Sequence, residues 1–156
     1  MASVYTKLPT GPKPYFVIIL FFLMSIGCKP RPKVYESDCD EGQTFVRVNF
    51  THLLDSMAYY DQKYIETTGI YREGKEKSSL YNDSVKPDNK ALWVNFSQDC
   101  ELYLTGTHIG LFDYNNGSFT QLNNKKVRIR GKVDMHNLGH LKLYKGCIDR
   151  VSLVEL

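Results

Sequence analysis

The stretch "KKVRIRGKVD", residues 125–134, decides the fold. Val127, Ile129 and Val133 alternate strictly with Arg128, Arg130 and Lys132. Successive side chains of a strand point to opposite faces, so this pattern predicts a strand with one buried and one solvated face. Gly131 interrupts it near the middle. A glycine inside a strand weakens it unless a bulge or tight coiling needs the missing side chain. Upstream, "KYIETTGIYRE" (63–73) is rich in Tyr, Ile and Thr around a central Gly69, and "SSLYND" (78–83) and "ALWVNFS" (91–97) are shorter strand candidates. Downstream, "HLKLYKGCIDRVSLVEL" (140–156) supplies a hairpin return and a closing strand. The turn-rich pieces "NDSVKPDNK" (82–90) and "DYNNGSFTQLNN" (113–124) separate them. Before the strands, "NFTHLLDSMAYYDQ" (49–62) places Leu53, Leu54, Met57 and Ala58 at helical spacing, which predicts one short amphipathic helix capped by Thr51 and ending near Tyr60.

About five bent strands, two with an internal glycine, and a long third-to-fourth connection (97–124) resemble an OB-fold barrel. The likeness rests on "YIETTGIY" as a first strand and "VRIRGKV" as a fourth. It implies a mainly β fold, a small five-stranded barrel preceded by one short helix. A lipocalin-like barrel would need more strands, and a β-sandwich is the alternative architecture.

The 156 residues leave room for one domain, and 42% hydrophobic content with 11 Tyr and 8 Phe is enough to build a core. Lys7 and Lys13 lie before an apolar run; without them 18 basic residues face 17 acidic ones. A nearly neutral domain argues against a nucleic-acid partner, which needs a large cationic excess.

The apolar run is "YFVIILFFLMSI", residues 15–26, too short to span a bilayer comfortably as a helix. Its basic flank, its length and the small residues after it predict a secretory signal peptide over residues 1–27. Ser25 and Gly27 suit ordinary signal peptidase. Alternatively "SIGC" (25–28) resembles the lipobox of bacterial lipoproteins, with Ser25 where that family prefers Leu; the resemblance implies lipidation of Cys28. "KPRPKVYESDCDEGQ", with prolines, charges and no apolar periodicity, then predicts a stiff tether over residues 28–43, leaving 44–156 as the barrel domain. Lipobox, tether, helix and OB-like barrel together resemble small envelope lipoproteins of Bacteroidota and similar Gram-negative bacteria. That likeness implies a protein lipid-anchored in the bacterial cell envelope, at the outer membrane, with a periplasmic or secreted domain as the alternative. The tripeptides "DSM" (55–57) and "DSV" (83–85) match an O-glycosylation pattern of that phylum. Sequons starting at Asn49, Asn82, Asn95 and Asn116 would instead suit a eukaryotic secreted glycoprotein.

An exported protein keeps disulfides. If Cys28 is lipidated, the expected bond joins Cys100 to Cys147, with Cys39 left over in the tether; if it is not, four cysteines allow two bonds. No CxxC pair suggests zinc, and no metal or other cofactor is expected.

Catalytic signatures are missing: there is no G-x-S-x-G, H-E-x-x-H, P-loop or dinucleotide fingerprint, so no catalytic residue is assigned. Arg128, Arg130 and Lys132, extended by Lys126, form an outward basic row that would suit an anionic glycan, lipid head groups or an acidic protein surface. A solvated strand face whose charges deter edge pairing is the plainer account of the same row. Trp93, with Tyr59, Tyr60, Tyr64, Tyr71, Tyr81 and Tyr103, offers a candidate stacking platform, although strands and helices pack such residues routinely. The leading expectation is therefore a membrane-anchored, non-enzymatic module binding an envelope glycan or protein through Arg128, Arg130, Lys132 and Trp93. The alternative is a hydrolase-type enzyme using loop residues such as His108 or Asp113, which requires them to cluster with His136 or His140 around one cleft.

Overall fold

A computed structural model of the protein describes residues 31–82, 90–112 and 120–156. The chain divides into two compact units, Met1–Arg31 and Pro32–Leu156. Of the first unit only Arg31 is described, so the expected signal peptide, Cys28 and its lipidation lie outside the described residues.

The second unit runs β1 (Val34–Glu36), β2 (Val46–Arg47), α1 (Phe50–Asp55), α2 (Met57–Tyr60), β3 (Tyr64–Gly74), β4 (Lys77–Tyr81), β5 (Leu92–Val94), β6 (Tyr103–Leu104), β7 (Lys125–Asp134) and β8 (Cys147–Glu155). Five strands close a ring. β3 pairs with β4 and β4 with β5, both antiparallel; β5 runs parallel to β8; β8 and β3 both pair antiparallel with β7. This is the five-stranded OB-like barrel expected from the strand pattern, and ring closure replaces the sandwich alternative. Three outer strands extend it: β2 parallel on β3, β1 antiparallel on β8, and β6 antiparallel on β1.

The strand that decides the fold behaves as its alternation requires. Val127, Ile129 and Val133 are buried in the barrel core, and each fully buried aliphatic side chain stabilises the fold by about 1.5–3 kcal/mol. The two glycines lie where strands approach too closely for a side chain. A Cβ on Gly69 would sit 2.6 Å from the Tyr81 carbonyl oxygen, and one on Gly131 would sit 2.6 Å from Ile148 Cγ2. At Gly131 the β7–β8 register also slips: Arg130 faces Leu153 while Lys132 faces Asp149, and Arg150 within the bulge takes φ 47°.

Three local expectations change. The helix is two pieces, broken at Ser56 (φ −125°, ψ 32°), and its N-cap is Asn49, whose Oδ1 accepts from Thr51 N at 2.9 Å, rather than Thr51. Of the expected stripe, Leu53, Leu54 and Met57 are buried in the main core with Phe50 and Tyr60, whereas Ala58 is exposed because the break at Ser56 turns it outward. The stretch expected as a tether joins the fold from Val34 onward, because Tyr35 is buried and Val34–Glu36 completes the edge of β8. Finally, the disulfide joins Cys39 to Cys100, not Cys100 to Cys147. Cys147 is a free thiol, fully buried where β8 meets β5 and β7. A three-residue 3-10 turn, Asp38–Asp40, brings Cys39 to Cys100 instead. The Arg150 bulge holds that turn in place: its guanidinium donates to Asp40 Oδ1 at 3.0 Å and to the Cys39 carbonyl at 2.8 Å.

Candidate functional site

Two residues of the basic row, Arg128 and Arg130, are engaged within the protein. Opposite it on β3 lies Glu66, only 6% exposed. Arg128 Nη1 and Arg130 Nε donate to Glu66 Oε2 at 2.9 and 2.8 Å, and Arg47 approaches Oε1 at 3.7 Å. Arg128 also pairs with Glu155 through its other nitrogen. Burial by itself would raise the Glu66 carboxyl, but the hydrogen bond from Arg130 and the charges of both arginines hold it below the ordinary glutamate value. Arg128 and Arg130 thus neutralise a buried carboxylate across the β3–β7 seam. Lys132, on the same face, has no ion pair among the described residues. Trp93 is elsewhere, on β5 opposite Ser79 and Cys147. The four candidate residues do not form one site.

Trp93 does open onto a groove of about 510 Å³ at the barrel mouth, where β3 ends, β4 begins and the chain leaves β5. Barrel mouths are ordinary places for ligand sites. Its apolar wall is a series of edge-to-face rings: Tyr71 to Phe96 at 5.9 Å and Phe96 to Phe112 at 5.2 Å, with Trp93 and Tyr103 also exposed to the space. At the floor, the Tyr71 hydroxyl and Ser78 Oγ are 3.0 Å apart, and Ser78 donates onward to the Val94 carbonyl at 2.7 Å. Burial raises the Tyr71 hydroxyl far above the ordinary tyrosine value, so it remains protonated. The Glu73 carboxylate accepts from Thr120 Oγ1 at 2.8 Å and Thr120 N at 3.2 Å. Asn95 donates to Asp149 at 2.9 Å, and the Tyr103 hydroxyl donates to Glu101. Gln98 and Lys77 complete a polar rim.

Most of that ring wall is carried by the chain from Asn95 to Phe112, which contributes Phe96, Tyr103 and Phe112. It is fastened in three places: by Asn95 N to the Ile148 carbonyl (2.9 Å), by the Cys39–Cys100 bond, and by pairing of β6 with β1. Phe96, Phe112, Asn95 and Gln98 were not legible in the sequence as residues of a binding groove. The alternation of "WVNFSQ" beyond the end of β5 was the available signal, but only the fold of the connection shows which side it faces.

The residues of the enzyme alternative disperse. His136 lies 3.7 Å from Asp61 and His140 lies 3.3 Å from Glu76. His52 stacks edge-on against Tyr60, and His108 is exposed in the turn after β6. No histidine lines the groove, and Asp113 is outside the described residues. Among the described residues no three His, Cys, Asp or Glu side chains gather as a metal site, and no helix is long and apolar enough to cross a membrane.

Fold and groove together define a small closed β-barrel with a ring-lined mouth. Comparisons of the chain with protein-family models, with curated proteins and with solved structures gave no match.

Proposed function

We propose that the protein is a lipid-anchored envelope lipoprotein whose barrel is a non-enzymatic binding module, with the mouth groove as its ligand site and a neutral glycan as its ligand. The groove carries this reading. Ring faces provide apolar stacking surface, while Gln98, Asn95, Ser78 and Glu101 offer amide, hydroxyl and carboxylate groups suited to sugar hydroxyls. Among the described lining residues, the two carboxylates Glu73 and Glu101 outnumber the ammonium of Lys77, which disfavours an anionic ligand. The engagement of Arg128 and Arg130 with Glu66 argues the same way, against the acidic partner that a free basic row would suit.

The anchor rests on "SIGC" and its apolar prelude. With the fold beginning near Val34, six residues beyond Cys28, the leash would be at most about 20 Å long.

Two measurements test the halves separately. Metabolic palmitate labelling in a Gram-negative host, beside Cys28→Ala, reads the anchor; a wild type without label removes it. Titration of envelope oligosaccharides while following Trp93, the one tryptophan of the chain, reads the groove. Saturable change with neutral sugars that is lost in Phe112→Ala supports the site. Equal or stronger response to acidic sugars refutes the ligand class.

A further inference from the structure

Between β7 and β8 the chain makes a knuckle, residues 138–145, that holds two leucines out of the protein. Leu141 is 73% exposed and Leu143 is 49% exposed. The backbone is bent to keep them there, with Leu141 at φ 53° and Lys142 at φ 56°, a left-handed pair that side chains with a Cβ rarely adopt. Such an observed outlier points towards function.

The knuckle is built to hold that shape. Tyr144 N donates to the Leu138 carbonyl at 3.1 Å, Lys142 N to Gly139 at 3.2 Å, and Lys145 N to Ala91 at 3.1 Å. Its base is seated on the barrel: the Trp93 and Tyr144 rings are 5.2 Å apart, and a Cβ on Gly139 would come within 2.7 Å of Trp93. Lys142 and Lys145 of the knuckle are exposed, and so is Lys90, next in the chain to Ala91, whose carbonyl accepts from Lys145 N. The Glu76 carboxylate lies 3.3 Å from His140 Nε2.

We infer that this knuckle is a membrane-contact element, in which Leu141 and Leu143 enter the interfacial region of an anionic lipid surface while Lys142, Lys145 and Lys90 meet its head groups. Apolar side chains flanked by lysines match that boundary, where acyl chains begin just beneath negative charge. Protein partners are a poorer fit, because a stable protein interface needs a broad complementary patch and the knuckle presents a narrow tip. The inference does not require Cys28 to be lipidated.

The test is quenching of Trp93 by brominated lipid, since Trp93 lies at the base of the knuckle. Full-length protein is mixed with brominated vesicles of phosphatidylcholine alone, or containing about one third phosphatidylglycerol. The apolar run at residues 15–26 is common to wild type and variants, so differences among them report on the knuckle. Quenching should be several-fold stronger with the anionic vesicles and largely lost in Leu141→Ser/Leu143→Ser. Lys142→Gln/Lys145→Gln should lower the anionic preference by about fivefold per lysine. Both pairs are exposed, so thermal melts should match the wild type; should the leucine variant fail to fold, the lysine variant decides alone. Equal quenching by both vesicles, quenching that survives loss of the leucines, or no quenching at all would overturn the inference.

Discussion

Replacing Cys39 and Cys100 together with serine removes the bond that closes a loop of 61 residues' separation. If the bond acts by restricting the unfolded chain, a loop of that length corresponds to about 4 kcal/mol at 25 °C. For a folded unit of the size of Pro32–Leu156, each kcal/mol shifts Tm by about 4 °C. The double variant should therefore melt about 15 °C below the wild type, followed by circular dichroism without reductant. A dithiol reductant should bring the wild type to the same midpoint. The third cysteine provides the control. Burial pushes the Cys147 thiol up to about 12 and encloses it, so iodoacetamide at pH 8 should leave it unmodified until the barrel unfolds. The pairing itself is read by mass under non-reducing conditions. A Cys39→Ser protein in which Cys100 and Cys147 are joined, or a double variant melting within a few degrees of the wild type, would refute the reasoning.

Glu66→Gln should lower stability by about 1–3 kcal/mol in urea unfolding at pH 7, because two partly buried arginines lose their common carboxylate. Since Glu66 titrates lower in the folded protein than its ordinary value of 4.5, its contribution is present above that pH and is lost as the pH falls through the folded value; Glu66→Gln should flatten this acid limb of the stability curve. Gly131→Ala should cost about 1–3 kcal/mol or more, since its Cβ would lie 2.6 Å from Ile148 Cγ2 and 2.7 Å from the Asp149 carbonyl; a chemical-denaturation midpoint equal to wild type would mean that the bulge is not tight. Phe112→Leu retains an apolar wall but removes a ring face, so sugar-induced change at Trp93 should weaken about tenfold while Tm moves little; unchanged affinity would take Phe112 out of the site.

The barrel was legible where burial is strictly one-sided. Val127, Ile129 and Val133 announce a core face through local alternation, while the Ile65 to Tyr71 segment announces a strand through its β-branched and aromatic residues; the two strands then pair with Gly69 opposite Val127. The internal glycines signalled tight coiling before either neighbour was known. Val34–Glu36 was not legible, because a single buried tyrosine among charged residues has no period, and its partner Glu155 lies at the other end of the chain. The site was only half legible. Trp93 stood out as a residue, but its groove depends on Phe96 and Phe112, brought to one wall by the connection after β5.

By itself, then, the sequence determined which residues must be buried, where the chain must coil, and that an apolar run ends on a cysteine. Those features depend on neighbours within a few residues. Only the tertiary structure decided that Cys39 rather than Cys147 meets Cys100, that Arg128 and Arg130 are engaged by Glu66, and that the open surface lies at the barrel mouth. A charge or a thiol has the same letter whether it faces water or a partner. The partner is selected by barrel closure, which brings together groups far apart along the chain.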